Sequence, residues 1–438
     1  MSILIVITIF LITLFLSYYL FNKWFNPLSL YVLVWTMLLV LYEIKLIRYI
    51  DLTSEVWIII SIGFASFLFG IITLFLTRGL FNESRNQNTS SKNFNLLFVK
   101  DGTIIRDTII ILSIIGLLNA IQHWIILINK FGSITSVLIQ AGLVYRLRTA
   151  GEIEGVIPYL YVTSYIAIIL AGIYTAYKNK ITLTAILPFI AIIIKEIASF
   201  GRAGILIGFL SFTISFLLLR HSLSEKNKDY SIQRNKKNLF IAIIIMFILF
   251  VGSATIIKDF RGTFESYKAS SSSLNKLEKG LIISPSIYLY VSSHVGVLSK
   301  YFQDPREKAM FGENTFQPIY NFLSKFGIVD HPNFFQRGYW IPMWTNTGTY
   351  LREIHADFGN IGLLLIPYML GFLITFYWFK FYSNGKMIDL IILTHLFLIV
   401  ALSFLVMITR TSVWFISFMS FFILIPLLEL ITKKISTK

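Results

Sequence analysis

Residues 349–380 read TYLREIHADFGNIGLLLIPYMLGFLITFYWFK. From Gly359 onward the run is apolar and uncharged up to Lys380, about 20 residues, which is the length that crosses a hydrocarbon core as one helix. The part before Gly359 gathers an arginine, two carboxylates and a histidine. In it Leu351, Ile354 and Phe358 fall at i, i+3 and i+7, which predicts a short amphipathic helix leading into the span. Glu353 and Asp357 are then i, i+4 neighbours with Tyr350 on their face. Arg352 and His355 pair at i, i+3 on another.

Outward from this stretch the apolar pattern repeats. Of 438 residues, 56% are hydrophobic and 14% charged, against about 25% charged in soluble domains. The fold class is therefore all-α, a polytopic membrane protein. A window of about 19 residues predicts about eleven spans, near 2–21, 28–47, 55–77, 105–128, 156–177, 181–199, 203–220, 239–257, 359–380, 387–407 and 412–432. The first run lacks a basic leader and a small-residue cleavage site, so it reads as a retained helix. Three regions follow: helices and short loops over 1–257, a long polar loop with short helices over 258–358, and the last spans with a tail over 359–438.

The net charge of +16 reflects cationic cytoplasmic loops, not nucleic-acid binding. Lysines and arginines cluster in alternate loops, around Lys23, 78–106, Lys178 and Lys180, 220–237, Lys380 and Lys386, and the C-terminal tail. That places these loops in the cytoplasm, the N-terminus outside and the C-terminus inside. Cysteine is absent, which removes disulfides and thiol catalysis.

Four segments fall outside: 129–155, the ASFGRAG turn at 198–204, the 258–358 loop and the turn at Arg410. The spacing over Ile134–Arg148 predicts a helix lying on the outer leaflet. Arg146, Arg148, Arg202, Arg261, Arg337, Arg352 and Arg410 all lie on this side, against the usual bias. A guanidinium grips phosphate oxygens in a planar fork and keeps its charge at any working pH. Arg202 sits between two glycines, where backbone can approach a ligand closely, and Arg410 stands in a turn too short to need it. Outer arginines also simply meet lipid headgroups, which is the plain structural alternative.

Glu353, His355 and Asp357 are the candidate general bases, with His294 and His331 further upstream. The structural alternative for Asp357 is a helix cap. Phe334, Phe335, Tyr339, Trp340, Trp344 and Tyr350 crowd the approach to the closing helix. Such rings stack on sugar C–H faces or anchor loops at the interface. Pro332 and Pro342 predict an irregular but ordered loop there. No metal motif is present beyond a weak ExE at Glu152 and Glu154. His123, Glu196 and His395 are ionisable groups inside spans, with Glu43 near a helix end. No internal repeat or paired broken helices mark a transporter.

With these features the chain resembles the oligosaccharide repeat unit polymerase, or O-antigen polymerase, family. The resemblance lies in the span layout, the NPLSLYVLVW start of the second helix, the SFGRAG junction, the large outer loop and TYLREIHADFGNIGLLL. Some members carry an R-x10-G pattern in outer loops, and Arg337 with Gly348 fits it, whereas Arg146, Arg148 and Arg261 do not. The resemblance implies a GT-C-like helical fold, metal-independent and cofactor-free glycosyl transfer, and a polyprenyl diphosphate-linked oligosaccharide as both donor and acceptor. It also implies residence in a bacterial cytoplasmic membrane and makes a chain-length regulator a plausible partner. The expected site uses the arginines for diphosphate, Glu353, His355 or Asp357 as base, and Tyr339, Trp340, Trp344, Tyr350 and His294 toward sugar. Two rival functions remain at this point: an O-antigen ligase-type transferase, and a lipid-linked oligosaccharide flippase or exporter.

Overall fold

The computed structural model describes residues 3–77, 99–149, 152–153, 155–226, 252, 271–279, 285–304, 307, 309–333 and 336–436. The predicted span at 239–257, the loop from 80 to 98, Arg261, Glu154, Phe334 and Phe335 lie outside the described residues. The chain forms two compact units. One comprises 1–85, 267–378 and 396–414; the other comprises 86–266, 379–395 and 415–438.

In the first unit, α1 (Ile3–Phe21) and α2 (Pro27–Glu43) form an antiparallel pair. Asn26 caps α2 through its side chain, which accepts from the Ser29 N–H at 2.8 Å, while the Ser29 hydroxyl accepts from the Asn26 N–H at 3.0 Å. Pro27 follows, at a position where the missing N–H costs nothing. α3 (Ser54–Thr77) is long and apolar.

In the second unit, α4 (Val99–Phe131), α7 (Val162–Lys178), α8 (Leu183–Ser199) and α9 (Ala203–Lys226) pack against one another as a bundle. Between α4 and α7 lie α5 (Ile134–Ile139) and α6 (Ala141–Thr149). The single helix predicted over Ile134–Arg148 is thus two, broken at Gln140.

The long polar segment holds α10 (Ser272–Lys279), α11 (Pro285–Ser292), α12 (His294–Gln303) and α13 (Gln317–Ser324). A two-residue ribbon, β1 (Tyr339–Trp340) with β2 (Trp344–Thr345), turns at Pro342. The other described residues of 331–333 and 336–349 are irregular, as the prolines predict.

Three helices complete the chain: α14 (Tyr350–Asn384), α15 (Met387–Leu402) and α16 (Ser412–Ser436). Gly359, at φ 61° and ψ −153°, interrupts α14. That conformation is open only to glycine, and it separates 350–358 from the apolar run as the sequence implies. α15 stops five residues before its predicted end. There the Ser403 carbonyl is taken by the Tyr350 N–H at 2.9 Å, and the Ser403 hydroxyl accepts from the Trp35 indole at 3.0 Å. The link to α16 is correspondingly longer and includes a 3-10 turn, Ile408–Arg410.

Among the described residues, six helices are long and apolar enough to cross a membrane, and α2, α7 and α15 are shorter apolar helices. The chain is an all-α polytopic membrane protein. Within the first unit α3 and α14 cross at glycines: a Cβ on Gly70 would strike the Tyr368 carbonyl, and one on Gly371 the Phe67 carbonyl. Small residues at such crossings allow backbones to approach in lipid. Gly371→Val is expected to cost about 2 kcal/mol, since no flexible side chain can yield. Thermal denaturation of the detergent-purified variant measures this; an unchanged midpoint would mean the crossing is not tightly packed.

Candidate functional site

The candidate site is built around the 350–358 segment of α14, in the first unit. Its carboxylates do not face open solvent. Asp357 Oδ1 accepts from the Asn314 N–H and side-chain amide, both at 2.9 Å. Its Oδ2 accepts from the Thr315 N–H and hydroxyl, both at 2.7 Å. So Asp357 does receive backbone N–H groups, as the capping alternative requires, but from the turn before α13 instead of the helix that follows it.

Glu353 is buried and takes three donors. The Gln336 amide donates to Oε1 at 2.7 Å, the Met407 N–H donates to Oε2, and Arg410 forms an ion pair with Oε1. Arg410 donates its Nε to Gln317 Oε1 at 3.0 Å, so its guanidinium bridges α13 and α14. The Thr409 hydroxyl donates to the Thr315 carbonyl at 2.8 Å. The 403–411 link, the turn at 313–317 and the start of α14 are thereby one polar knot.

Arg352 is wholly enclosed. Its Nε and Nη2 donate to Glu307 Oε2 at 2.9 and 2.6 Å, Nη1 to the Asn346 carbonyl at 2.9 Å, and Nη2 to the Arg337 carbonyl at 2.6 Å. The guanidinium also lies 5.2 Å from the centre of the Tyr339 ring. A buried cation satisfied this fully holds the loop in shape. Gly348 lies against it; a Cβ there would come within 2.6 Å of Arg352 Cδ. Arg337 differs: its side chain is 41% exposed, 3.6 Å from Asp304, and 5.5 Å from the Tyr339 ring centre. Of Arg337, Arg352 and Arg410 it is the one most open to a ligand.

His355 is half-buried, with Nδ1 2.8 Å from the Tyr301 hydroxyl. His294 is buried, with Nε2 2.7 Å from the Tyr290 carbonyl and Nδ1 3.2 Å from that of Thr347. A carbonyl only accepts, and a neutral ring has one N–H, so the neutral ring satisfies one of the two. Burial lowers the His294 pKa from its ordinary value. His331 lies in the irregular segment, its Nδ1 3.0 Å from the Pro332 carbonyl.

The aromatics divide. Trp340 is 66% and Trp344 58% exposed, edge to face at 5.9 Å. Tyr339 is buried, and its hydroxyl donates to the Asp304 carbonyl at 3.4 Å. Tyr350, grouped by sequence with the sugar-facing rings, is buried among α2 residues: its hydroxyl bonds that of Tyr31 at 2.9 Å and its ring meets the edge of Trp35. It offers no face to a sugar, because its place at the first turn of α14 turns it into the helix packing.

Arg146, Arg148 and Arg202 belong to the second unit. Arg146 and Arg148 are on α6; the Arg148 guanidinium lies 5.2 Å from the Tyr145 ring centre. Arg202 stands in the two-residue link after Phe200, whose φ of 48° ends α8. Beside it is Gly201, where a Cβ would come 2.5 Å from Glu196 Oε2. Glu196 is buried and ion-paired with Lys195. The charges of Lys195, Arg148 and Glu196 all act on His123. His395 is satisfied by the Ile391 carbonyl at 2.8 Å and Ser417 at 3.2 Å.

Sequence reasoning passed over Asp304, Glu307, Asn314, Thr315, Gln317 and Gln336, which partner Arg337, Arg352, Asp357, Arg410 and Glu353. The one available signal was the polar run Glu313-Asn314-Thr315 set among phenylalanines. Among the described residues no group of three or more His, Asp or Glu side chains is placed to hold a metal ion. No family model, no characterised protein and no solved structure matches the chain.

Proposed function

We propose that the protein is a glycosyltransferase that joins polyprenyl diphosphate-linked oligosaccharide repeat units at the outer face of a bacterial cytoplasmic membrane. The observation that supports this best is the linked set Arg337, Arg352, Arg410, Glu353, His355 and Asp357, gathered where a polar loop meets a membrane-length helix. In this reading the chain has about eleven spans, a GT-C-like arrangement, an outer N-terminus and a cytoplasmic C-terminus.

The chemistry follows from the side chains. Departure of the lipid diphosphate from the donor's anomeric carbon leaves negative charge, which fixed guanidinium groups stabilise. Arg337 meets it first, since its side chain is 41% exposed and its ion pair with Asp304 is loose at 3.6 Å. Arg410 is held in place by Glu353 and Gln317. The acceptor hydroxyl attacks the anomeric carbon and gives up its proton. His355 is the base in this scheme, because its ring is only half-buried, whereas Asp357 and Glu353 are buried and each accept from several donors. The Trp340 and Trp344 faces receive sugar rings.

The test uses purified protein in detergent with a fluorescent polyprenyl diphosphate-linked oligosaccharide, resolving products on gels. A ladder of lengthened lipid-linked glycan is expected. Arg337→Ala and His355→Ala should each slow it about a hundredfold. Undiminished ladders from both variants would remove the site assignment. Transfer off the lipid without a ladder would favour the ligase-type reading, and movement across vesicles without bond formation the exporter.

A further inference from the structure

The segment from Phe311 to Ile328 has its polarity reversed except at Lys325, which is exposed. Glu313, Asn314, Thr315 and Gln317 are buried. Phe311, Phe316, Ile319, Phe322, Phe326 and Ile328 are exposed, Phe311 at 78%. A water-facing loop arranges these the other way round, with its polar groups outside. The buried polar groups are all engaged: Asn314 and Thr315 by Asp357, Gln317 by Arg410, and Glu313 by the N–H groups of Met310 and Asn333 at 2.8 and 3.0 Å.

We infer that residues 311–328 lie at the edge of the bilayer, with their outward apolar side against lipid hydrocarbon and the Lys325 ammonium reaching the headgroups. Reversed polarity alone states only that the outside is apolar. Two further observations name lipid as the occupant. The segment is fastened to the 408–410 turn, through Thr409 to Thr315 and Arg410 to Gln317. That turn joins two apolar helices, so it fixes the segment at the depth of their ends. The apolar side is also continuous with a span: Phe311 packs edge to face on Phe358 at 4.9 Å, and just beyond lie Ile361, Leu364 and Leu365, exposed on the membrane-length part of α14. A short helix with aromatic residues on one side and its backbone satisfied within the protein is suited to that depth. The outer loop is then partly a lipid-embedded element, and this holds whichever reaction the protein performs.

The chain contains no cysteine, so single cysteines report without background. Phe311→Cys, Phe322→Cys, Phe326→Cys and Ile328→Cys remove side chains that fill no core. Leu364→Cys serves as the lipid control and Gln303→Cys as the water control. Each full-length variant is reconstituted in phosphatidylcholine vesicles. One portion is reacted with a membrane-impermeant maleimide after the vesicles are opened by freeze–thaw; another is labelled in detergent with an environment-sensitive fluorophore and quenched by doxyl-phosphatidylcholine.

The four positions are expected to react about tenfold or more slowly than Gln303→Cys, because the reactive thiolate does not form in hydrocarbon. Their quenching should match Leu364→Cys. Reaction as fast as Gln303→Cys with little quenching would overturn the inference in favour of a water-exposed surface. Slow reaction without lipid quenching would overturn it in favour of a protein cover, such as a second copy.

Discussion

Arg410→Ala should lower the unfolding free energy of the purified protein by about 3–5 kcal/mol, because it strands a buried carboxylate without its counter-charge. The Glu353 side chain is 1% exposed and that of Arg410 9%. The Met407 N–H and the Gln336 amide still donate to Glu353 after the change, but neither carries a charge. A second substitution separates charge from packing. In Arg410→Met with Glu353→Gln, neither position of the pair carries a charge, and most of the lost stability should return. Arg410→Lys should fall between, since one ammonium cannot reproduce a guanidinium that reaches Glu353 and Gln317 with different nitrogens. Thermal and denaturant unfolding in one fixed detergent give the order. If Arg410→Ala unfolds like the parent, the pair is hydrated and does not hold the link in place.

Asp357→Ala should be nearly as costly, and it discriminates between two roles for that carboxylate. The change leaves two buried backbone N–H groups, those of Asn314 and Thr315, without acceptors, along with an amide and a hydroxyl. Each orphaned buried donor costs about 1–3 kcal/mol. The turn at 313–317 should then open, and limited proteolysis should cut within 305–330 where the parent resists. Asp357→Asn retains one acceptor oxygen and should keep part of the protection. Were Asp357 the base of the proposed reaction, Asp357→Asn would abolish transfer while leaving the loop resistant. Loss of both together identifies an anchor.

The helices were legible because their signal is length and apolarity, which the chain carries locally. The break at Gly359 was legible for the same reason, a glycine between two differing patterns. The shortened α15 was not: it ends where Tyr350 and Trp35 claim Ser403, two partners far away in sequence. The charged residues of the 350–358 segment were identifiable from their density. Their partners were not, since Glu307, Asn314 and Gln336 look like ordinary loop residues until the fold brings them to Arg352, Asp357 and Glu353. Helical spacing likewise put Tyr350 beside the carboxylates without showing that α2 would cover it.

The knot around Glu353 also sets an order of events during synthesis. Thr315 bonds to Thr409, 94 residues later in the chain, and Gln317 to Arg410, 93 residues later. At about 5–20 residues per second, the 311–317 turn leaves the ribosome roughly 5–20 s before its partners exist. During that interval the Thr315 carbonyl and the Gln317 amide oxygen lack the donors that later satisfy them. A chain that stops before the 403–411 link is therefore expected to leave this segment open to proteases. Closure of the middle of the chain thus waits on the short link between its last two helices.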